Sequence, residues 1–348
     1  MATKRETISS EQLAIVLSHY DLGIVQEVHA FPHGSHAAAK VVVRTDRGKF
    51  LIKRRPVGRD GPYRVAFAHA LQRYLASKNF PLPHLIGTRE DNNSMLKVGE
   101  AIYEVFEFID AGPYKGGLVA TYEAGKTLAL YHSLVKDYHP QWNPPRGHYH
   151  HSRVVYNAFK PMAEILLKQR EMKRRREDVV DLLKRLRECY SHAAETVNDL
   201  GMPTWEVQIV HSDWHPGNML FDHEHVVAVI DYDSARIRPR VMDVANGCLQ
   251  FSMVTGKADL ATWEFATDTN RAKRFLRGYD ELSMLSKAEI MAVPFLMQEV
   301  LIAQTVRPIL KTGKFARWDG FEFLKVMLGK AEWLNENQGW TRLDEGER

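Results

Sequence analysis

The sequence predicts an α+β chain: a small antiparallel sheet with one helix, followed by a larger and mainly helical part. Three observations predict it. Short β-branched runs separated by glycine-containing turns occupy roughly residues 20–108. Beyond Asp110-Ala111-Gly112-Pro113 the apolar residues recur at helical spacing. A length of 348 residues suits one large or two moderate domains.

The elements follow in order. Ser9 and Gln12 form a capping box ahead of Leu13-Ala14-Ile15-Val16-Leu17, which predicts a short opening helix. Strands at 41–44 and 49–53 flank the turn Thr45-Asp46-Arg47-Gly48, and His33-Gly34-Ser35-His36 marks the tip of an earlier hairpin. A helix at 65–77 carries Phe67, Leu71, Tyr74 and Leu75 on one side, and Pro81-Leu82-Pro83 stops it. Asp91-Asn92-Asn93-Ser94 is the expected turn of a further hairpin whose return strand is 101–106. A helix at 121–135 keeps Leu128, Tyr131 and Val135 near one stripe. One long helical stretch is expected over 154–200, closing at Gly201 with Pro203 beyond it. Its basic run, Lys173-Arg174-Arg175-Arg176, precedes Glu177 and Asp178 and reads as a solvated helix face.

Composition narrows the function classes. With 45% hydrophobic and 26% charged residues the chain is neither collagen-like nor disordered. No uninterrupted apolar run approaches the ~20 residues of a membrane span, and the acid in Met1-Ala2-Thr3-Lys4-Arg5-Glu6 argues against a signal peptide. Two cysteines, Cys189 and Cys248, make no disulfide framework, so a reducing, cytoplasmic setting is expected. A net charge of +4 is too mild to predict a nucleic-acid partner.

One stretch carries chemistry. His211-Ser212-Asp213-Trp214-His215-Pro216-Gly217-Asn218 leads into two short strands, 219–221 and 226–230, around the turn Asp222-His223-Glu224-His225. Antiparallel pairing about residue 224 puts Asn218 opposite Ile230, hence beside Asp231, with facing Cα atoms ~5 Å apart. An amide oxygen and a carboxylate are hard ligands, which suit Mg²⁺ far better than zinc. Asp213 sits on the tight loop upstream, where a carboxylate near a metal-bound phosphate can accept, or orient, an alcohol proton. Base, amide and carboxylate together are the parts of a phosphoryl-transfer site.

The run His211 to Asn218, followed by Ile230-Asp231-Tyr232-Asp233, resembles the H-G-D-x-H-x-x-N … I-D signature of the aminoglycoside phosphotransferase/choline kinase-like family, which also holds homoserine and methylthioribose kinases. The resemblance covers most of the chain. It implies a two-lobed, protein-kinase-like fold, with a nucleotide-binding N-lobe over 1–108, a hinge near 107–113 and a catalytic, substrate-binding C-lobe over 109–348. Phe31-Pro32-His33-Gly34-Ser35 is similar to the nucleotide loop, which nominates Gly34 and Ser35. Phe50-Leu51-Ile52-Lys53 is similar to the strand bearing the ATP-phosphate lysine. Tyr103-Glu104-Val105-Phe106-Glu107-Phe108-Ile109 resembles the hinge strand, which places adenine against Glu107 and Ile109. Asp213 is then the catalytic residue, Asn218 and Asp231 hold Mg²⁺, and Arg240-Val241-Met242-Asp243 resembles the element whose acid braces the catalytic loop. The implied activity is transfer of the γ-phosphoryl group of ATP to a hydroxyl of a small metabolite or aminoglycoside-like acceptor.

Two departures stand out. Ser212 replaces the usual glycine, which the loop absorbs if that residue keeps an ordinary φ. The helix after Lys53 lacks the glutamate that normally pairs with that lysine, since there is no acid between Asp60 and Glu90. Lys53 is then held by the phosphates alone or by an acid from elsewhere, and the alternative to an active kinase is a degenerate kinase-like binding protein. A zinc hydrolase built on His211, Asp213 and His215 is a second rival. His148, His150 and His151 read as a polar loop in preference to a metal cluster.

Overall fold

The computed structural model describes residues 6–32, 34, 38–168, 170–256 and 259–341. The chain folds into two compact units, one of residues 1–114, 137–145 and 217–235, the other of residues 115–136, 146–216 and 236–348.

The first unit opens with α1 (Ser10–Leu17), whose start is fixed by the expected capping box: the Ser9 hydroxyl accepts the Gln12 N–H and the Gln12 side chain accepts the Ser9 N–H. Then come β1 (Val25–Ala30), β2 (Lys40–Thr45), β3 (Gly48–Arg54), α2 (Pro62–Ser77), β4 (Leu85–Ile86), β5 (Leu96–Val98) and β6 (Ala101–Glu107). The sheet runs β1-β2-β3-β6-β4 with β5 also on β6, and every pairing is antiparallel. Val16 of α1 packs with Val43, Ile52 and Val105 in a core sealed from water. Inserting α2 between β3 and β6 brings two strands distant in sequence into register, Lys53 opposite Glu104.

The hairpin expected at residues 91–94 turns elsewhere. Thr88 and Asn93 close their own loop, with the Thr88 N–H on the Asn93 carbonyl and the Asn93 N–H on the Thr88 hydroxyl. The turn that pairs β5 with β6 is Gly99-Glu100, where Gly99 takes φ +59°.

The second unit begins with α3 (Leu118–Val135), followed by α4 (Arg153–Leu166), α5 (Arg170–Arg174), α6 (Arg176–Asp199) and β7 (Val207–Val210). The long helical stretch expected over 154–200 is thus divided into three helices. Its buried stripes explain the breaks: Leu166 of α4 and Val179 of α6 would sit roughly 140° apart around one continuous helix, and only a break lets both face the core. At the second break Arg175 bonds Asp178 and Glu322 and lies over the Phe321 ring, while Lys173, Arg174 and Arg176 stay in solvent. Gly201 closes α6 in the left-handed region, as expected.

The chain then returns to the first unit for the hairpin β8 (Met219–Asp222) and β9 (His225–Val229), and re-enters the second with β10 (Arg236–Pro239), which pairs β7. Helices α7 (Val241–Ser252), α8 (Thr269–Asp280), α9 (Lys287–Thr312) and α10 (Gly320–Glu336) complete it. Among the described residues α9 alone is long and apolar enough to cross a membrane, a property that uninterrupted apolar runs do not reveal; most of it is buried within the second unit.

The crossing of α3 and α8 is set by two glycines. A Cβ on Gly125 would lie 2.0 Å from the Phe275 carbonyl oxygen, and one on Gly278 would lie 2.0 Å from that of Tyr122. Each helix presses its backbone into the gap left by the other. Gly125→Ala or Gly278→Ala should therefore lower the unfolding free energy by about 2 kcal/mol, since overpacking outweighs the better helix propensity of alanine. Urea unfolding that finds either variant as stable as wild type would contradict this crossing.

Candidate functional site

In the first unit the residues expected to meet a nucleotide surround β3 and β6. Gly34 lies in the β1–β2 connection with φ +77°, and Ser35 lies outside the described residues. Phe31, at the start of that connection, meets Phe108 edge to face at 5.9 Å. The Glu107 N–H donates to the His84 carbonyl and the Phe108 N–H to that of Lys49, whereas Ile109 donates no backbone hydrogen bond among the described residues.

Lys53 is mostly buried, and its Nζ lies 3.5 Å from Oε2 of the wholly buried Glu104. The acid missing from the following helix is supplied by a strand. Glu104 Oε1 also accepts Arg55 Nη2 at 2.7 Å and meets His69 Nε2 at 2.5 Å. Arg55 turns the rest of its fork onto Asp233, donating to the two carboxylate oxygens at 3.0 and 2.8 Å. Burial disfavours the Glu104 charge, but Lys53, the His69 hydrogen bond and Arg55 outweigh it and hold its pKa far below the carboxylate range.

The register of β8 and β9 pairs Met219 with Val229, and the Ile230 N–H donates to the Asn218 carbonyl at 3.0 Å. The ladder therefore runs one residue past each strand and leaves Asp231 next to the Asn218 end. Asp231 adopts φ +65°, a left-handed kink that ends the pairing, and its side chain is exposed while Asn218 is buried. Both offer oxygen, which fits a hard divalent ion that draws its remaining ligands from water and phosphate.

In the second unit the loop after β7 hangs on one carboxylate. Asp243, in the first turn of α7, accepts the His211 N–H on Oδ2 at 2.6 Å and the Ser212 N–H on Oδ1 at 2.8 Å. Oδ2 also faces His132 Nε2 at 3.3 Å, and His132 Nδ1 meets the Tyr279 hydroxyl at 2.8 Å. Burial lowers the His132 pKa despite the pull of Asp243. The His211 ring is buried against Tyr131 and Trp214. Trp214 is pinned twice, its indole N–H on the Ala124 carbonyl at 3.3 Å and its own carbonyl on Asn246 at 3.2 Å. Between these anchors the Asp213 side chain is 41% exposed, with His215 Nε2 3.6 Å away.

Ser212 does not keep an ordinary φ: it sits at +64°, in the region glycine favours. The two hydrogen bonds to Asp243 hold it there. The zinc trio is not assembled either, because His211 faces the aromatic core and, among the described residues, no three His, Cys, Asp or Glu side chains are grouped to hold a metal. His150 is a buried partner of Glu299, at 2.7 Å, and of Asn198, at 3.1 Å.

Sequence reasoning missed Glu104 as the partner of Lys53, and with it Arg55, His69 and Asp233. One signal was available: Glu104 is a charge inside the apolar strand Ile102-Tyr103-Glu104-Val105-Phe106, buried on both faces.

Two outcomes follow from these contacts. Ser212→Gly should raise the unfolding free energy by ~1 kcal/mol by relieving the left-handed serine, and an unchanged urea midpoint would contradict the strain. For His150, burial opposes the imidazolium, but Glu299 raises its pKa; burial raises that of Glu299 as well. Both folded values exceed the unfolded ones, so each contribution is complete below its own unfolded value and lost as pH rises through the folded one, that of Glu299 from the carboxylate range and that of His150 from about pH 6.5 upward. Above about pH 6.5 unfolding free energy should therefore fall, and less steeply in His150→Gln; equal slopes there would remove His150 from the pH response.

Residues 27–288 match the family described as "Phosphotransferase enzyme family", while no curated protein matches the sequence. Among solved structures, an aminoglycoside phosphotransferase from Alicyclobacillus acidocaldarius superposes with a TM-score of 0.70 at 16% identity, over 98% of this chain and 97% of that one. Amicoumacin kinase in complex with AMP-PNP, Ca²⁺ and Ami gives 0.67 at 11% identity, covering 94% of each chain. Choline kinase from Cryptosporidium parvum gives 0.61 at 15% identity, over 95% of this chain and 98% of that one. These likenesses show the kinase-like α+β fold that the motifs implied. With a family match over most of its length, the chain belongs to the aminoglycoside phosphotransferase/choline kinase-like phosphotransferase family.

Proposed function

We propose that this phosphotransferase moves the γ-phosphoryl group of ATP to a hydroxyl of a small molecule. The observation that carries the reading is the loop braced by Asp243, which fixes His211, Ser212 and Trp214 and leaves Asp213 between them, its side chain half-exposed beside His215. Such a group is held in place where a substrate can reach it. In this reading Asp213 takes the acceptor's hydroxyl proton as its oxygen bonds the γ-phosphorus, and the bond to the β–γ bridging oxygen breaks to release ADP. Lys53 neutralises phosphate charge, and Glu107 and Ile109 flank the base. Asn218 and Asp231 would hold Mg²⁺, which when bound supplies positive charge to the phosphates. The amicoumacin kinase complex, with AMP-PNP and Ca²⁺, supports a nucleotide and a divalent ion as the ligand pair. The pairing of Lys53 with Glu104 gives the lysine an acid from the strand, which favours this reading over that of a degenerate kinase.

Screening hydroxylated metabolites and aminoglycosides for acceptor-dependent ADP formation tests the activity. Asp213→Asn should lower kcat by ~10²-fold or more while leaving MgATP binding close to wild type. Normal turnover in that variant would remove Asp213 from the reaction.

A further inference from the structure

A buried carboxylate in the first unit binds more partners than Lys53 alone. Glu104 is fully buried, and its two oxygens are used differently. Oε1 is saturated by Arg55 and His69. Among the described residues Oε2 accepts no hydrogen bond, and it faces Lys53 at 3.5 Å, beyond the ~2.8 Å of a charge-assisted bond. Lys53 is thus attracted and aimed but not locked, and its ammonium donors stay available. Arg55, itself 1% exposed, spans from the same carboxylate to both oxygens of Asp233, and Arg64 adds a bond to the Asp233 carbonyl at 3.1 Å. Asp233 lies two residues after Asp231, beyond the buried Tyr232, so the fork fixes the segment that presents Asp231.

We propose that Glu104 and Arg55 are positioning residues: Glu104 aims Lys53 in place of a helix glutamate, and Arg55 carries the same anchor to Asp233, so that one buried carboxylate sets both the phosphate lysine and the metal aspartate. The inference rests on the kinase reading above for what Lys53 and Asp231 bind. The helix position nearest the carboxylate is filled by His69 on α2, a donor in place of an acid. Two cations and a histidine around one carboxylate offset its desolvation, whereas a strand glutamate facing Lys53 alone would be a poorly compensated buried charge.

The test uses the full chain and titrates it calorimetrically with MgATP and with adenosine. Wild type that binds neither ligand overturns the kinase reading itself, and with it the ligands named here. Given wild-type binding, Glu104→Gln should weaken MgATP about tenfold or more and leave adenosine, which has no phosphates, within about twofold. Asp233→Asn should raise the Mg²⁺ concentration needed for half-maximal ATP binding, again without touching adenosine. Returning the carboxylate to the helix, in the double variant His69→Glu with Glu104→Gln, should recover part of the MgATP affinity, a rescue that packing alone does not produce. If Glu104→Gln does not fold, Glu104→Asp, which keeps the charge but shortens its reach, carries the same expectation for MgATP against adenosine. A folded Glu104 variant with wild-type MgATP affinity, or a double variant no better than Glu104→Gln, overturns the proposal.

Discussion

A carboxylate taken out of water must find donors for its lone pairs or give up its charge, and two such groups organise this molecule. Asp243, 1% exposed, meets the requirement with two backbone N–H groups and a histidine. Glu104, 0% exposed, meets it on one oxygen with an arginine and a histidine and turns the other toward the charge of a lysine. The donors chosen decide what each carboxylate does. Backbone donors make Asp243 a brace for a loop, whereas cationic side chains make Glu104 a point from which charge is directed. Each sits at a place where the chain would otherwise be free to move: one beside the turn after β7, the other across a strand pair separated by a whole helix.

The brace depends on packing some distance away. His132 reaches Asp243 only because α3 passes close to α8, which carries the Tyr279 hydroxyl that holds the other ring nitrogen. Gly125 and Gly278 permit that approach by removing the side chains that would keep the helices apart. Helix packing, histidine orientation and loop conformation therefore form one chain of dependence within the second unit. Burial lowers the His132 pKa, which favours the neutral ring, able to donate to one partner and accept from the other.

Local signals in the sequence were legible where both partners lie close together in the chain. Ser9 with Gln12, the turn at Gly48 and the register of Asn218 against Ile230 involve residues three to about a dozen apart, and the structure agrees with each. Legibility failed where competing local patterns existed: the Asx-rich segment 91–94 looked like a hairpin turn, yet its side chains close a loop of their own and Gly99 makes the turn. It failed again in the long helix, where propensity is continuous but the buried stripe changes side. Lys53 and Glu104 are 51 positions apart across β3, α2 and β6, and no periodicity encodes which residue of one strand will face which residue of the other. The acid therefore lies on the sheet, where the pattern of the following helix gives no sign of it.

Ser212 and Asp231 share a backbone state that side chains avoid, each with φ near +65°. Such a residue costs of order 1 kcal/mol or more unless its surroundings impose it. Asp243 imposes it on Ser212 through the amide bonds, and on the other side of the same loop Trp214 is fixed at both its indole and its carbonyl. For Asp231 the flanks are again the rigid part: Ile230 is held by the Asn218 carbonyl, and Asp233 by the Arg55 fork. In both places a left-handed residue lets the chain reverse between two anchored neighbours, with an acid presented at the bend. Strain of this kind persists because the groups on either side over-determine it. The strained residues lie at the two acids to which the phosphotransferase reading assigns chemistry, Asp213 and Asp231, where a relaxed loop would allow the carboxylates to wander away from the reacting atoms.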